Sequence, residues 1–177
     1  MAHPVTRDEI LAELASNSDA LAAFYGAQPE ARLFTGDPDH WGPAHHLVHL
    51  TMTSRAIVRG LGTELPLHPT GHSRTYGEMI AAATDALRSA PRREMLVRGR
   101  VAVVPAGASR TELLEAFAAA CAELCTAAQA WPDADLDRRA LTHPLIGLMT
   151  AREMLLFCVF HERHHLKLVR AMLESGG

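Results

Sequence analysis

The feature that most constrains the fold is a row of residues spaced four and three apart near the end of the chain. The row is Gly147, Ala151, Met154, Cys158, His161, His165, Leu168 and Met172. Such spacing places its members on one face of an α-helix, the face that a helical bundle turns toward its core. Two histidines therefore stand where leucine is usual. Because a buried imidazole without a hydrogen-bond partner costs about 1–3 kcal/mol, the pair predicts a shared ligand, most simply a metal ion.

The composition favours helices along the whole chain. Hydrophobic residues make up 48% of the 177 residues and aromatic residues only 5%. Much of the apolar content is alanine and leucine, which lose little conformational freedom in a helix. A chain of this length can bury a core of its own as one domain. We therefore predict an all-α fold in a single domain spanning residues 1–177.

Start signals divide the chain into four long helices and one minor helix. Thr6 with Glu9 and Ser109 with Glu112 have the spacing of a capping box, and Pro43 suits the first turn of a helix. The predicted helices cover residues 7–25, 41–60, 75–89, 110–130 and 150–173. Four long helices predict a four-helix bundle, with 75–89 as the minor helix.

The connections between the predicted helices are rich in glycine and proline. Residues 26–40, 61–73 and 135–147 are predicted to be loops for this reason. The stretch 91–109 is also predicted to be a loop, because its short extended run at 98–105 has no partner strand.

Charge and hydropathy exclude two classes of partner. With 17 Lys+Arg against 20 Asp+Glu and no long basic run, the chain lacks the positive surface that nucleic acid requires. No stretch reaches the roughly 18–20 apolar residues that cross a bilayer, so no membrane contact is expected. Residues 1–9 turn acidic at once and show no apolar signal region. The lack of a signal region and the odd number of cysteines, three, together predict a reduced, cytoplasmic setting.

A second group of histidines, His45, His46 and His49, falls on the predicted second helix. At about 100° per residue, His49 shares an arc with small residues that leave room for an imidazole and an ion. These small residues are Thr53, Ala56 and Gly60. His45 lies one turn earlier on nearly the same arc, so it is an alternative or an additional ligand. His46 points about 60° away, toward the leucine stripe. We expect His45 and His46 to be partly solvated, and His46→Ala to cost little metal affinity.

Other candidate ligands have simpler interpretations. His68 and His72 have the same four-residue spacing, but they lie in a loop rich in glycine and proline, where we expect no metal. Cys121 and Cys125 are interpreted as packing residues, since buried cysteine behaves as a small hydrophobe. Cys158 lies on the histidine row and either fills the core or lines the metal pocket.

Two segments resemble motifs of the DinB/YfiT-like superfamily. The run from Trp41 to Leu50, Trp-Gly-Pro-Ala-His-His-Leu-Val-His-Leu, is similar to the second-helix motif of that family. The run 143–147, His-Pro-Leu-Ile-Gly, followed by 161–165, His-Glu-Arg-His-His, is similar to its last-helix motif. Their order and separation also match, as does the segment 109–114 between them. The resemblance covers nearly the whole chain.

The resemblance implies a DinB-like four-helix bundle with a long crossover connection, assembled as a homodimer. It further implies a divalent metal ion held by one histidine of the second helix and by the last-helix pair. In this sequence these residues are His49, His161 and His165. The additional His45 and His46 make the second helix richer in histidine than the family motif requires.

Such a site suggests chemistry on a small molecule. Three neutral imidazoles leave a divalent ion its full charge and at least one open position, where a bound water or thiol loses its proton more easily. A His₃ set suits zinc, nickel and iron alike. Members of the family with known activity include S-transferases and isomerases that use bacillithiol, mycothiol or glutathione.

Our first interpretation is therefore a metal-dependent transferase that joins a low-molecular-weight thiol to an electrophile in detoxification. The alternatives are a non-catalytic, stress-associated dimer that binds a metal or ligand, and a metal-dependent hydrolase. The sequence identifies no catalytic acid or base, because Glu153 and Glu162 lie off the histidine row and Glu78 lies on the minor helix.

Overall fold

The computed structural model describes residues 6–37, 39–89 and 102–175. The helices in these ranges are α1 (Arg7–Gly26), α2 (Glu30–Leu33), α3 (Pro43–Leu61), α4 (Tyr76–Ser89), α5 (Arg110–Gln129) and α6 (Ala151–Ser175). A 3₁₀ turn (Asp133–Asp137) and the strands β1 (Ala140–His143) and β2 (Gly147–Thr150) lie between α5 and α6. The all-α prediction is confirmed. The segment 91–101 of the predicted loop lies outside the described residues, whereas 102–109 contains neither helix nor strand.

The helix starts follow from local hydrogen bonding. The hydroxyl of Thr6 accepts from the backbone of Glu9, whose carboxylate accepts from the backbone of Thr6 at 2.9 Å. Ser109 and Glu112 repeat this capping box at the start of α5. In both places the side chains satisfy backbone N–H groups that have no partner within the helix. These two predicted starts are confirmed.

The four long helices form the bundle. Both α1 and α3 pack against α5 and α6, and α3 runs most closely along α5. The minor helix α4 belongs to the long crossover between α3 and α5 and packs on α6. In the part of the chain that the structure describes, no helix combines the length and the apolar character needed to cross a membrane.

Two small elements depart from the predicted loops. The short helix α2 falls inside 26–40, and β1 and β2 form an antiparallel hairpin inside the region from 135 to 150. An isolated two-stranded hairpin is marginal in water, so its stability comes from contacts that lie far apart in sequence. The backbone N–H of Ala140 donates to the carbonyl of Pro66 at 2.9 Å, and the hairpin packs on α6.

The core is divided along the bundle axis. One apolar cluster contains Ile10, Leu14 and Ile57 together with the first turns of α6, and the other contains Leu21, Leu47, Phe117 and Val169. Between these clusters lie the buried polar side chains of a middle layer. They are Asn17, His161, Glu162 and His165.

The predicted row on the last helix is buried only in part. Its members from Ala151 to His165 are buried, whereas Leu168 and Met172 are 37% and 40% exposed. Beyond His165 the packed positions are Leu166, Val169 and Leu173. An α-helix has 3.6 residues per turn, so a row spaced strictly by three and four rotates away from the core as it lengthens.

Candidate metal centre

Three imidazoles from two helices converge in the middle layer. Nε2 of His161 lies 3.2 Å from Nε2 of His49 and 2.9 Å from Nε2 of His165. His49 comes from α3, while His161 and His165 are one turn apart on α6. Among the described residues, this is the one group of three histidine, cysteine or acidic side chains placed to hold a metal ion. The structure thus brings together the three residues named from the sequence.

The donor set fits an ion better than it fits hydrogen bonding alone. An imidazole nitrogen offers either one N–H or one lone pair, so Nε2 of His161 makes one good hydrogen bond. At least one of its two contacts, with His49 or with His165, therefore cannot be a good hydrogen bond. In a tetrahedral zinc site with bonds of about 2.0–2.1 Å, neighbouring ligand nitrogens lie about 3.3 Å apart. The observed separations of 3.2 and 2.9 Å are close to this geometry.

The ligand rings on α6 are held in their neutral form. Burial lowers the pKa of both His161 and His165 well below the ordinary value, and the charges of neighbouring histidines lower it further. The ring of Phe157 stacks on His161 with 4.9 Å between centroids. Neutral imidazoles keep the lone pairs that a metal ligand requires.

His46 lies beside this group and contacts one of its members. Its Nδ1 lies 2.7 Å from Nδ1 of His165, and the indole of Trp41 packs edge-on against its ring. Burial and then the charges of other histidines lower its pKa to about 4. The expectation of partial solvation is wrong for both His45 and His46, which are 6% and 4% exposed. Among the described residues, Nε2 of His46 is buried without a hydrogen-bond partner.

His45, the alternative ligand, has a different role in the structure. Its Nδ1 accepts a hydrogen bond from the backbone N–H of Gly42 at 3.3 Å, which caps the start of α3. The residue also lines a cavity of about 340 Å³. The other lining residues are Phe34, Gly36, Asp37, Val103 and Val104. His45 is therefore separate from the group that converges on His161.

The small residues near His49 do not act as the sequence suggested. Ala56 is exposed, and Gly60 approaches the hairpin rather than a helix. A Cβ atom at Gly60 would lie 2.7 Å from a methyl group of Leu141. Gly60 thus makes room for β1 and not for an ion between two helices.

His143 belongs to a run that resembles a family motif, but no role at the site is predicted for it from the sequence. The structure places it at the end of β1, close to His49. Its Nδ1 accepts hydrogen bonds from the backbone N–H groups of Leu145 and Ile146 at 3.2 and 3.1 Å. Its ring packs on Phe157 at 4.5 Å. Burial, and then the nearby His49, lower its pKa to about 4. A neutral ring whose Nδ1 accepts carries its proton on Nε2.

The other candidate ligands lie outside the group of three convergent histidines. Cys158 and Cys121 are buried, and burial raises the pKa of both thiols. His68 lies in a loop, where its Nδ1 contacts the hydroxyl of Thr70 at 2.9 Å. Neither the cysteines nor His68 and His72 belong to the ion-binding group of the described residues. The structure therefore favours packing as the role of the cysteines.

The fold and the site together define a class, a helical bundle with three convergent histidines placed to bind a metal. The family model of the DinB superfamily matches residues 13–169. The chain therefore belongs to the DinB superfamily. Comparisons with curated proteins and with solved structures give no significant match.

Proposed function

We propose that this protein binds one divalent metal ion and transfers a low-molecular-weight thiol to an electrophile. The observation that carries the proposal is the convergence of Nε2 of half-buried His49 with Nε2 of buried His161 and His165. Zinc, nickel and iron are the candidate ions, since all three accept imidazole ligands. Thiols of the bacillithiol, mycothiol or glutathione type are the candidate co-substrates.

Each ligand of the chain has a defined part in this proposal. His161 and His165 are neutral and face His49 across the space between α6 and α3. When bound, the ion supplies a positive charge that lowers the pKa of a thiol at an open coordination position. Since all three protein ligands are uncharged when they bind, none of that charge is cancelled.

The proposed reaction is a substitution or an addition at an electrophilic carbon. The thiol first loses its proton to the solvent. Its sulfur then forms a C–S bond, and in a substitution the leaving group departs with the electron pair of the broken bond. In an addition to a conjugated double bond, a proton from solvent ends on the neighbouring carbon. No oxidant or reductant is consumed in either case.

His143 is the residue that we propose to orient the electrophile. It packs on Phe157, which lies one turn before His161 on the same face of α6. With Nδ1 occupied by two backbone donors, Nε2 of the neutral ring is a fixed N–H donor. His143→Phe is expected to leave metal content unchanged and to lower turnover by about 100-fold, the usual effect of removing one positioned donor.

The experiment compares conjugation by metal-loaded and chelated protein. Bacillithiol, mycothiol and glutathione are each offered with 1-chloro-2,4-dinitrobenzene, and thioether formation is followed with zinc-, nickel- or iron-loaded protein. Activity with one thiol that disappears on chelation and returns with metal supports the proposal. Stoichiometric metal binding without conjugation of any thiol contradicts the transferase and favours the non-catalytic binding protein. Release of product by water alone favours the hydrolase.

A homodimer in the cytoplasm is part of the same proposal. Leu168 and Met172 are one turn apart on α6 and both are exposed, as expected for an apolar contact with a second copy. The three cysteines are free thiols, which suits a reducing compartment. Sedimentation at micromolar concentration is expected to give twice the chain mass of 19.2 kDa. A sedimenting mass of one chain would contradict the proposed dimer.

A further inference from the structure

We infer that His46 is a positioning residue that holds His165 in the tautomer and orientation required for metal binding. The inference rests on the metal site of the proposed function. It goes beyond that site because His46 does not belong to the ion-binding group. It also replaces the expectation from the sequence that loss of His46 costs little metal affinity, since the 2.7 Å contact with His165 was not foreseen. The contact that carries it is the 2.7 Å separation between Nδ1 of His46 and Nδ1 of His165.

Two nitrogens at this distance share one proton, and the proton has two positions. If His46 carries it, the neutral ring of His165 has its own proton on Nε2, and this nitrogen offers no lone pair to an ion. If His165 carries it, its Nε2 is free to bind the ion while His46 accepts at Nδ1. Metal binding through Nε2 of His165 therefore selects the second arrangement.

The direction of Nε2 of His165 supports that selection. This atom lies 2.9 Å from Nε2 of His161, inside the group that converges on the ion position. The other nitrogen of the same ring faces His46. Metal-bound histidines usually donate their second N–H to a fixed acceptor, which sets the tautomer and the ring orientation.

His46 is itself held firmly enough to act as this acceptor. It is buried, and the indole of Trp41 packs edge-on against its ring with 5.5 Å between centroids. It lies on α3, three residues before His49, so both side chains lie on adjacent positions of the same helix surface. The contact of His46 with His165 thus connects α6 to α3, the helix that supplies His49.

The test measures zinc affinity by competition with a chelator for the wild type, His46→Asn and His46→Leu. Asparagine keeps an acceptor oxygen near the place of Nδ1, whereas leucine removes the acceptor and keeps an apolar filling. We expect about 10–100-fold weaker binding for His46→Leu and recovery to within about 3-fold for His46→Asn. His45→Leu is the matched control, since His45 is a buried histidine of the same helix that bonds the backbone of Gly42 and does not belong to the ion-binding group.

A spectroscopic measurement on the wild type does not depend on any variant. Imidazole ¹⁵N shifts of the zinc-loaded protein are expected to show Nδ1 of His165 protonated and Nδ1 of His46 unprotonated. The absorption bands of the cobalt-loaded protein are expected to be the same in the wild type and His46→Asn. They should shift in His46→Leu, because the ring of His165 loses its orientation.

The outcomes separate this inference from the proposed function. If the wild type binds zinc and His46→Leu binds it equally well, the inference is overturned while the metal site stands. A protonated Nδ1 on His46 in the zinc-loaded wild type overturns it as well, even where His46→Leu fails to fold. If the wild type binds no zinc, nickel or iron, the metal site of the proposed function itself fails.

Discussion

Two buried polar clusters lie on adjacent faces of one turn of α6, and they are satisfied in different ways. His161 faces α3, and its Nε2 lies at hydrogen-bond distance from Nε2 of His49 on α3 and from Nε2 of His165 on α6 itself. Glu162, the next residue, faces α1 and α5. There its carboxyl group accepts a hydrogen bond from the side chain of Asn17 at 3.1 Å and contacts the thiol of Cys121 at 3.7 Å.

The difference distinguishes a ligand site from a structural polar contact. The Glu162 cluster pairs different groups, and Asn17 continues it to Arg163, which donates to its side-chain oxygen at 3.0 Å. Burial raises the pKa of Glu162 to about 8, which favours a neutral carboxyl group at pH 7 in the metal-free protein. The histidine cluster instead turns identical nitrogens toward one another. Convergence of like donor atoms, rather than burial of polar groups as such, indicates the ion.

The largest expected effect is the loss of metal when an α6 ligand is removed. His161→Ala or His165→Ala should lower bound divalent metal from near one per chain to a small fraction, because two nitrogens hold an ion far less tightly than three. Metal analysis after dialysis against a weak chelator measures this. Full occupancy in either variant would place the site elsewhere.

Removal of the α3 ligand should give the next largest effect. His49→Ala is expected to weaken zinc binding by a large factor, whereas His45→Ala should leave it nearly unchanged, since His45 caps the start of α3 instead. Zinc titrations of the two variants give the comparison. Should His45→Ala abolish binding while His49→Ala preserves it, the ligand on α3 lies one turn earlier than the structure indicates.

A third cluster, at the start of α6, has an ionised carboxylate and therefore responds to pH. Burial by itself raises the pKa of Glu153, but hydrogen bonds from the side chain and backbone of Arg74, at 2.6–3.0 Å, bring it below the ordinary value of 4.5. Because the folded state then binds fewer protons than the unfolded state, the free energy of unfolding falls as pH drops below about 4.5.

Glu153→Gln should remove part of this acid sensitivity and lower the free energy of unfolding at pH 7 by about 1–2 kcal/mol. Urea unfolding at pH 7 and pH 4 measures both changes. Glu115→Gln, at an exposed position of α5, is the matched control and should change neither. An equal acid sensitivity in Glu153→Gln and the wild type would show that other groups determine it.

The smallest effect is expected for Glu162→Gln. This variant tests whether the Glu162 cluster is independent of the histidine cluster. Glu162→Gln should keep the metal and change the free energy of unfolding at pH 7 by less than about 1 kcal/mol, since the amide replaces a neutral carboxyl group of the same shape. Metal analysis and urea unfolding check both statements. Loss of metal in this variant would mean that the two clusters form a single site.

The sequence is sufficient for those parts of the fold that depend on local signals. Capping boxes and apolar spacing locate the long helices, because helix starts and buried faces follow from residues within a few turns. The pair His161 and His165 can be found in the same way, as polar residues on a buried face. His49 came from the family resemblance and from an argument about small residues that the structure does not support at Ala56 and Gly60.

The missed features depend on contacts between segments far apart in the chain. The hairpin of β1 and β2 is held by Pro66 and by α6, so its own eight residues give little sign of it. The contact of His46 with His165 joins positions 119 residues apart. One local signal pointed toward it, since His46 and His49 are three apart and neighbours on the helix surface. The pairing itself requires the packing of α3 on α6.

Cobalt titration of the metal-free wild type is the most direct test of the metal centre. We expect saturation at one ion per chain, with the intense visible bands of a four- or five-coordinate site that has nitrogen ligands. Zinc should displace the cobalt at the same stoichiometry. Binding that does not saturate, or the weak spectrum of hydrated octahedral cobalt throughout the titration, would contradict the assignment of His49, His161 and His165 as a metal centre.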